Sequence, residues 1–170
     1  MTTALPAEAL SLVSALLHYP DDELLAEVPH MRQAAARLAH DDLRKSIDGF
    51  LNHLTNNSLL SLQTEYTSAF DLDPSTPLNL TWHRYGDNEK RAAALARLQR
   101  QYEQAGWERT TGDLPDYLPL VLEFLSLCPQ AGTDGEIKEC LASLEQIAGP
   151  LAQTAPAYAA LLRSLARATQ

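Results

Sequence analysis

Asp116 and Glu123 stand seven residues apart in the stretch Asp113–Phe124, DLPDYLPLVLEF. On one helix that spacing puts two carboxylates on the same face, two turns apart. Such a pair can serve as general acid and general base. The same residues also have a plainer use. Asp113 can cap a helix, Pro115 can sit in its first turn, and Asp116 can add an acid at the positive end of its dipole. On that reading, Asp116→Ala is expected to cost about 0.5–2 kcal/mol.

Other chemistry is thinner. Glu27-Val-Pro-His30 has the Glu-x-x-His spacing of di-iron bundles, but those sites need a second such pair and two further glutamates, and this pair encloses a proline. His18, His30, His40, His53 and His83 read as helix-end or surface residues. Cys128 and Cys140 lie twelve apart with no CxxC, and are expected to be free thiols. The chain has no phosphate-cradling glycine loop, no dinucleotide fingerprint and no nucleophile elbow. The expectation is a protein without cofactor, metal or enzymatic turnover.

The formal net charge is −9. Nucleic acid and anionic membrane surfaces need clustered Lys and Arg, so both are poor partners, whereas a basic partner is permitted. Residues 84–109 alone are basic, with six bases against four acids. No positively charged leader precedes the first helix, and no apolar run approaches a membrane span. A cytoplasmic protein that does not insert into membranes is expected.

Apolar residues recur at helical spacing along the chain. The fold expected is all-α, a single domain over residues 1–170, with about eight or nine helices and one extended segment near residues 76–86. The predicted helices run from Pro6 to His18, Asp21 to Ala26, Met31 to Leu38, Asp41 to Leu54, Leu59 to Phe70 and Asp87 to Ala105. Another is capped by Asp113, one opens on a Thr133/Glu136 capping box and ends near Gly149, and the last carries Tyr158, Leu161, Leu162 and Leu165. Pro29 separates the second and third, because proline inside a helix removes a hydrogen bond. Leu78–Trp82 alternates apolar and polar residues. Trp82, His83 and Tyr85 then cluster in a loop, either stapled to the core through Leu78, Leu80 and Trp82 or forming the wall of a groove.

Several stretches together resemble one family, the nitrate reductase assembly chaperones (the NarJ subfamily of the redox-enzyme maturation proteins that include TorD and DmsD). They are Leu16–Asp21 (LLHYPD), Glu65–Asp71 (EYTSAFD), Leu78–His83 (LNLTWH) with Gly86-Asp87 and Lys90–Leu95 (KRAAAL), Tyr102–Gly106 (YEQAG), and Asp113–Phe124. They fall in family order. The wider family often has Asp-His where this chain has Asp116-Tyr117, and Tyr there favours the NarJ branch. Ala92 replaces a glycine usual after the Arg.

The resemblance implies a helical, non-catalytic chaperone. Its partner would be the N-terminal peptide of a molybdoenzyme catalytic subunit, with nitrate reductase the default, and also molybdenum cofactor biosynthesis proteins. The bis-molybdopterin guanine dinucleotide cofactor would belong to the client. A helix-in-groove mode needs an apolar trough with acids at its rim. Tyr66, Phe70, Leu80, Trp82 and Tyr85 are candidates for the wall. Asp113, Asp116 and Glu123 are candidates for the rim, with Pro115 and Tyr117 beside them. The alternatives are a helical scaffold that binds a folded partner and an acid–base enzyme using Asp116 and Glu123.

Overall fold

The computed structural model describes residues 5–133 and 135–170. Among them the chain is helical, and its one β feature is an isolated antiparallel bridge between Asn79 and Tyr117. No described helix is long and apolar enough to cross a membrane.

Helix α1 (Ala7–Leu16) opens behind Pro6. Helix α2 (Asp22–Ala36) is capped by the Asp21 carboxylate, which accepts the Leu24 N–H at 2.8 Å. Here the sequence predicts two helices split at Pro29, and the structure has one. An internal proline costs about 3 kcal/mol. Leu24, Val28 and Ala35 nonetheless form one buried stripe across it, and their shared burial against α1 and α3 keeps the halves in line.

Helix α3 (Asp41–Thr55) buries Leu43, Ile47, Phe50, Leu51 and Leu54, as its spacing predicts. Asp41 is its first residue rather than its cap, and pairs with Arg44 at 2.5 Å. Helix α4 (Leu59–Tyr66) is capped by Ser58 and widens into a π turn over Thr67–Asp71, closed by the Leu72 N–H on the Thr67 carbonyl.

The segment expected to be extended near residues 76–86 is mostly not so. Only Leu78 and Asn79 run alongside Asp116–Leu118, with Leu118 N–H donating to Leu78 O and Leu80 N–H to Asp116 O. Leu80–Tyr85 then coils into the short helix α5, which ends at Gly86 with φ of 68°. The alternation in LNLTWH is real, but it is outcompeted by a cap that comes from far along the chain, described below.

Helix α6 (Glu89–Gln104) is capped by Asn88, not Asp87. It buries Ala94, Leu98 and Tyr102, leaves Leu95 half-buried, and stops at Gly106 with φ of 71°. Helix α7 spans Leu118–Leu127, α8 Gly135–Leu141, α9 Leu144–Thr154 and α10 Pro156–Ala168. The Thr133/Glu136 capping box does not form. Thr133 bonds back to the Gln130 carbonyl, while the Glu136 carboxylate turns inward to Tyr85 and Arg97. The helix expected to reach Gly149 breaks before Leu144 and resumes through Pro150.

The core is one continuous cluster. Helix α1 packs on α7, and α10 packs on α9 and α3. The Tyr158 ring of α10 meets Phe50 at 4.8 Å and Phe70 at 4.9 Å, edge to face. That geometry adds about 0.5–1.5 kcal/mol per pair beyond area burial. It also anchors the π turn that carries Phe70.

Candidate functional site

Helix α7 starts at Leu118, four residues later than a cap at Asp113 requires. Asp113 therefore caps nothing, and Pro119 is the proline of the first turn. Pro115 lies buried in the preceding turn. Asp116 is 0% exposed, so it cannot be a rim acid. Nor does it share a helical face with Glu123, which sits exposed on α7.

Asp116 serves a different helix. Its Oδ2 accepts the Thr81 N–H at 3.0 Å and the Thr81 hydroxyl at 2.5 Å, and its Oδ1 accepts the Asn79 amide at 2.9 Å. It is thus the carboxylate at the amino end of α5, borrowed from 35 residues away, where unpaired N–H groups and the helix dipole favour an anion. Arg91 closes the network. Its guanidinium lies 3.9 Å from Asp116, its Nε donates to Thr81 Oγ1 at 3.1 Å, and its plane covers the Trp82 ring at 5.6 Å. A buried carboxylate is tolerable only when its oxygens are this fully used.

The groove lies on the other side of this latch. A cavity of about 540 Å³ opens among the α1–α2 turn, the end of α4 and its π turn, and the loop before α7. Four of the expected site residues line it: Tyr66, Phe70, Asp113 and Tyr117. Its innermost feature is a chain of hydroxyls. Tyr66 donates to the Leu17 carbonyl at 2.9 Å, and the Tyr66 and Tyr117 hydroxyls are 2.8 Å apart. Burial, then the neighbouring Tyr117, push the Tyr66 phenol above its ordinary range. Burial likewise raises Tyr117, so both are neutral at physiological pH. Tyr19 and Leu114, each close to half exposed, stand at the lip. Asp71 and Asp113 bring two exposed carboxylates to the same opening.

The loop wall is tied from behind. Tyr102 donates to the Pro115 carbonyl at 2.6 Å, and Arg109 donates to the Asp113 carbonyl. Arg109 is itself held by Gln99 at 3.0 Å. These bonds and the Asp116 latch give the groove a rigid wall without regular secondary structure.

The remaining expected residues lie elsewhere. Leu80 is 0% exposed and belongs to the core. Trp82 is half-buried beneath Arg91, its indole N–H on the Pro74 carbonyl. Tyr85 points away, donating to Glu136 at 3.0 Å. Sequence reasoning missed Tyr19, Asp71 and Leu114. The available signal was convergence, since the groove's aromatic, acidic and leucine residues all fall inside the motif stretches 16–21, 65–71, 78–83 and 113–124. Among the described residues no cluster of His, Cys, Asp or Glu could hold a metal.

Comparison with known proteins agrees with this architecture. A crystal structure described as that of a redox enzyme maturation protein from Archaeoglobus fulgidus superposes with a TM-score of 0.70 at 22% identity, covering 95% of this chain and 91% of that one. The chain is 30% identical over 160 residues to the probable nitrate reductase molybdenum cofactor assembly chaperone NarJ of Bacillus subtilis (strain 168), covering 94% of this chain and 87% of the relative. It is 35% identical over 155 residues to the nitrate reductase molybdenum cofactor assembly chaperone NarJ of Escherichia coli (strain K12), where it spans 65% of the relative's length. Residues 31–163, from the middle of α2 into α10, match the family model for the nitrate reductase delta subunit. With its motif stretches gathered around one groove, this chain belongs to the nitrate reductase delta subunit family.

Proposed function

We propose that this protein is an assembly chaperone for a molybdoenzyme of the nitrate reductase type. It binds the N-terminal peptide of the catalytic subunit and keeps that subunit open until the client's molybdenum cofactor is inserted. The observation that carries the peptide reading is the groove itself. It has an aromatic floor of Tyr66 and Phe70, apolar lips at Tyr19 and Leu114, and carboxylates at Asp71 and Asp113. An apolar floor with an acidic rim suits an amphipathic, basic segment. The relatives' names support the client class. The chaperone turns over no substrate and holds no cofactor of its own. Molybdenum cofactor biosynthesis proteins are further partners on this reading.

The test is calorimetric titration with a synthetic N-terminal peptide of the nitrate reductase catalytic subunit from the same organism. Saturable micromolar binding that weakens with added salt is expected, because exposed charges are screened beyond a Debye length of about 8 Å at physiological ionic strength. Absence of saturable binding at low salt would refute the proposal. Binding of the folded subunit with no affinity for the peptide would favour a scaffold for folded partners.

A further inference from the structure

The hydroxyl chain in the groove has a direction. Tyr66 owns one proton and spends it on the Leu17 carbonyl, which can only accept, at 2.9 Å. A phenol carries one donor and two acceptor sites. In the 2.8 Å contact between the two hydroxyls, Tyr117 must therefore be the donor and Tyr66 the acceptor. With its proton committed inward, Tyr117 has only lone pairs left to offer the cavity it lines. The two flanking carboxylates agree in kind. Asp71 and Asp113 line the same cavity; among the described residues neither carboxylate is in an ion pair.

We infer that Tyr117 is a specificity-determining residue of the groove: its hydroxyl, polarised by the Leu17–Tyr66 relay, acts as a pure acceptor that selects a lysine or arginine side chain of the bound peptide. This rests on the peptide-binding reading above and deepens it. An acidic side chain at that position would face the Tyr117 lone pairs and the like charges of Asp71 and Asp113, and an apolar one would leave the Tyr117 hydroxyl without a donor; both are repulsive elements that discriminate against the wrong segment. The aromatic floor beneath holds the apolar part of the segment, while the hydroxyl fixes its register. Tyr66 is a positioning residue in this scheme, acting through Tyr117.

A double-mutant cycle tests it, with wild-type protein, Tyr117→Phe and Tyr66→Phe titrated against the N-terminal peptide and against copies in which each lysine or arginine in turn is norleucine. Tyr117→Phe keeps the ring and is expected to weaken the native peptide on the order of tenfold or more, as for a hydrogen bond to a charged group. One norleucine copy should bind wild type with the same loss and show no further loss with Tyr117→Phe. Tyr66→Phe frees the Tyr117 proton and should shrink the discrimination between native and norleucine peptides. If wild type binds the native peptide but Tyr117→Phe binds it equally, or no cationic position couples to Tyr117, the selection role fails while the peptide reading stands. Undiminished discrimination in Tyr66→Phe would overturn the relay. If wild type binds no version of the peptide, both fall.

Discussion

Removing the Asp116 carboxylate should reveal which helix it serves. A first-turn acid on its own helix is worth about 0.5–2 kcal/mol. The structure asks for more. Asp116→Ala strands the Thr81 N–H, which is buried and bonds the carboxylate at 3.0 Å, at about 1–3 kcal/mol. It also removes the acceptor of the Thr81 hydroxyl and the Asn79 amide. The hydroxyl can turn, and Asn79, half-buried, can find water, so neither carries a full penalty. Arg91, with its side chain 18% exposed, loses its counter-charge. Together these give about 3–5 kcal/mol, the range for breaking a buried pair. For a chain of this size that lowers Tm by about 10–15 °C. Asp116→Asn retains one accepting oxygen and should lose about half as much. Thermal and urea unfolding followed by circular dichroism at neutral pH reads both. An alanine variant within about 1 kcal/mol of wild type would refute the buried latch and restore the simple capping role.

Three further expectations concern the interior. Leu80→Ala, if Leu80 lined the groove, would weaken binding with only a modest stability loss; since it is fully buried, the loss should be about 2–5 kcal/mol in urea unfolding. Burial and then Glu136 push the Cys140 thiol up to about 12, so at mildly alkaline pH a thiol reagent should label half-buried Cys128 first and reach Cys140 only after denaturation; rapid labelling of both in the native protein would contradict the packing. Burial holds His83 below its ordinary 6.5 while its ring bonds the Pro77 carbonyl. A group whose folded pKa is depressed loses its contribution as pH falls from about 6.5 through the folded value. His83→Gln should therefore flatten the acid limb of the stability profile, and an unchanged limb would argue that His83 protonates freely.

Helical stripes such as Leu43–Leu54 and Tyr158–Leu165 were readable because burial follows the local period, and local period is all a single stretch can display. Caps were read less well. Asp41 and Asp87 each sit one residue inside or outside the true boundary: Asn88 beside Asp87 takes the first N–H groups of α6, while at α3 the cap position falls to His40 and Asp41 pairs with Arg44. Asp116 was misread for a deeper reason. Its spacing to Pro115 and Leu118 fits a helix start on its own segment, while its hydrogen-bond partners lie at Asn79 and Thr81, and no local pattern announces a cap supplied from another part of the chain. The same long-range cap turned an alternating segment into α5. Pro29 and Pro150 show the reverse error, local breakers overruled by burial on both sides. The groove was half legible. Aromatic and acidic candidates could be drawn from the motif stretches, but which of them face each other depends on tertiary ties such as Tyr102 to Pro115.

The relay from Leu17 through Tyr66 to Tyr117 joins parts of the chain separated by 49 and 51 residues. Closing loops of that length costs entropy before any contact rewards it. The inner edge of the groove is therefore a tertiary feature that local helix formation alone cannot produce. The groove's inner edge thus depends on the α1–α2 turn, the end of α4 and the loop before α7 being docked together, and loosening any one of the three should undo it.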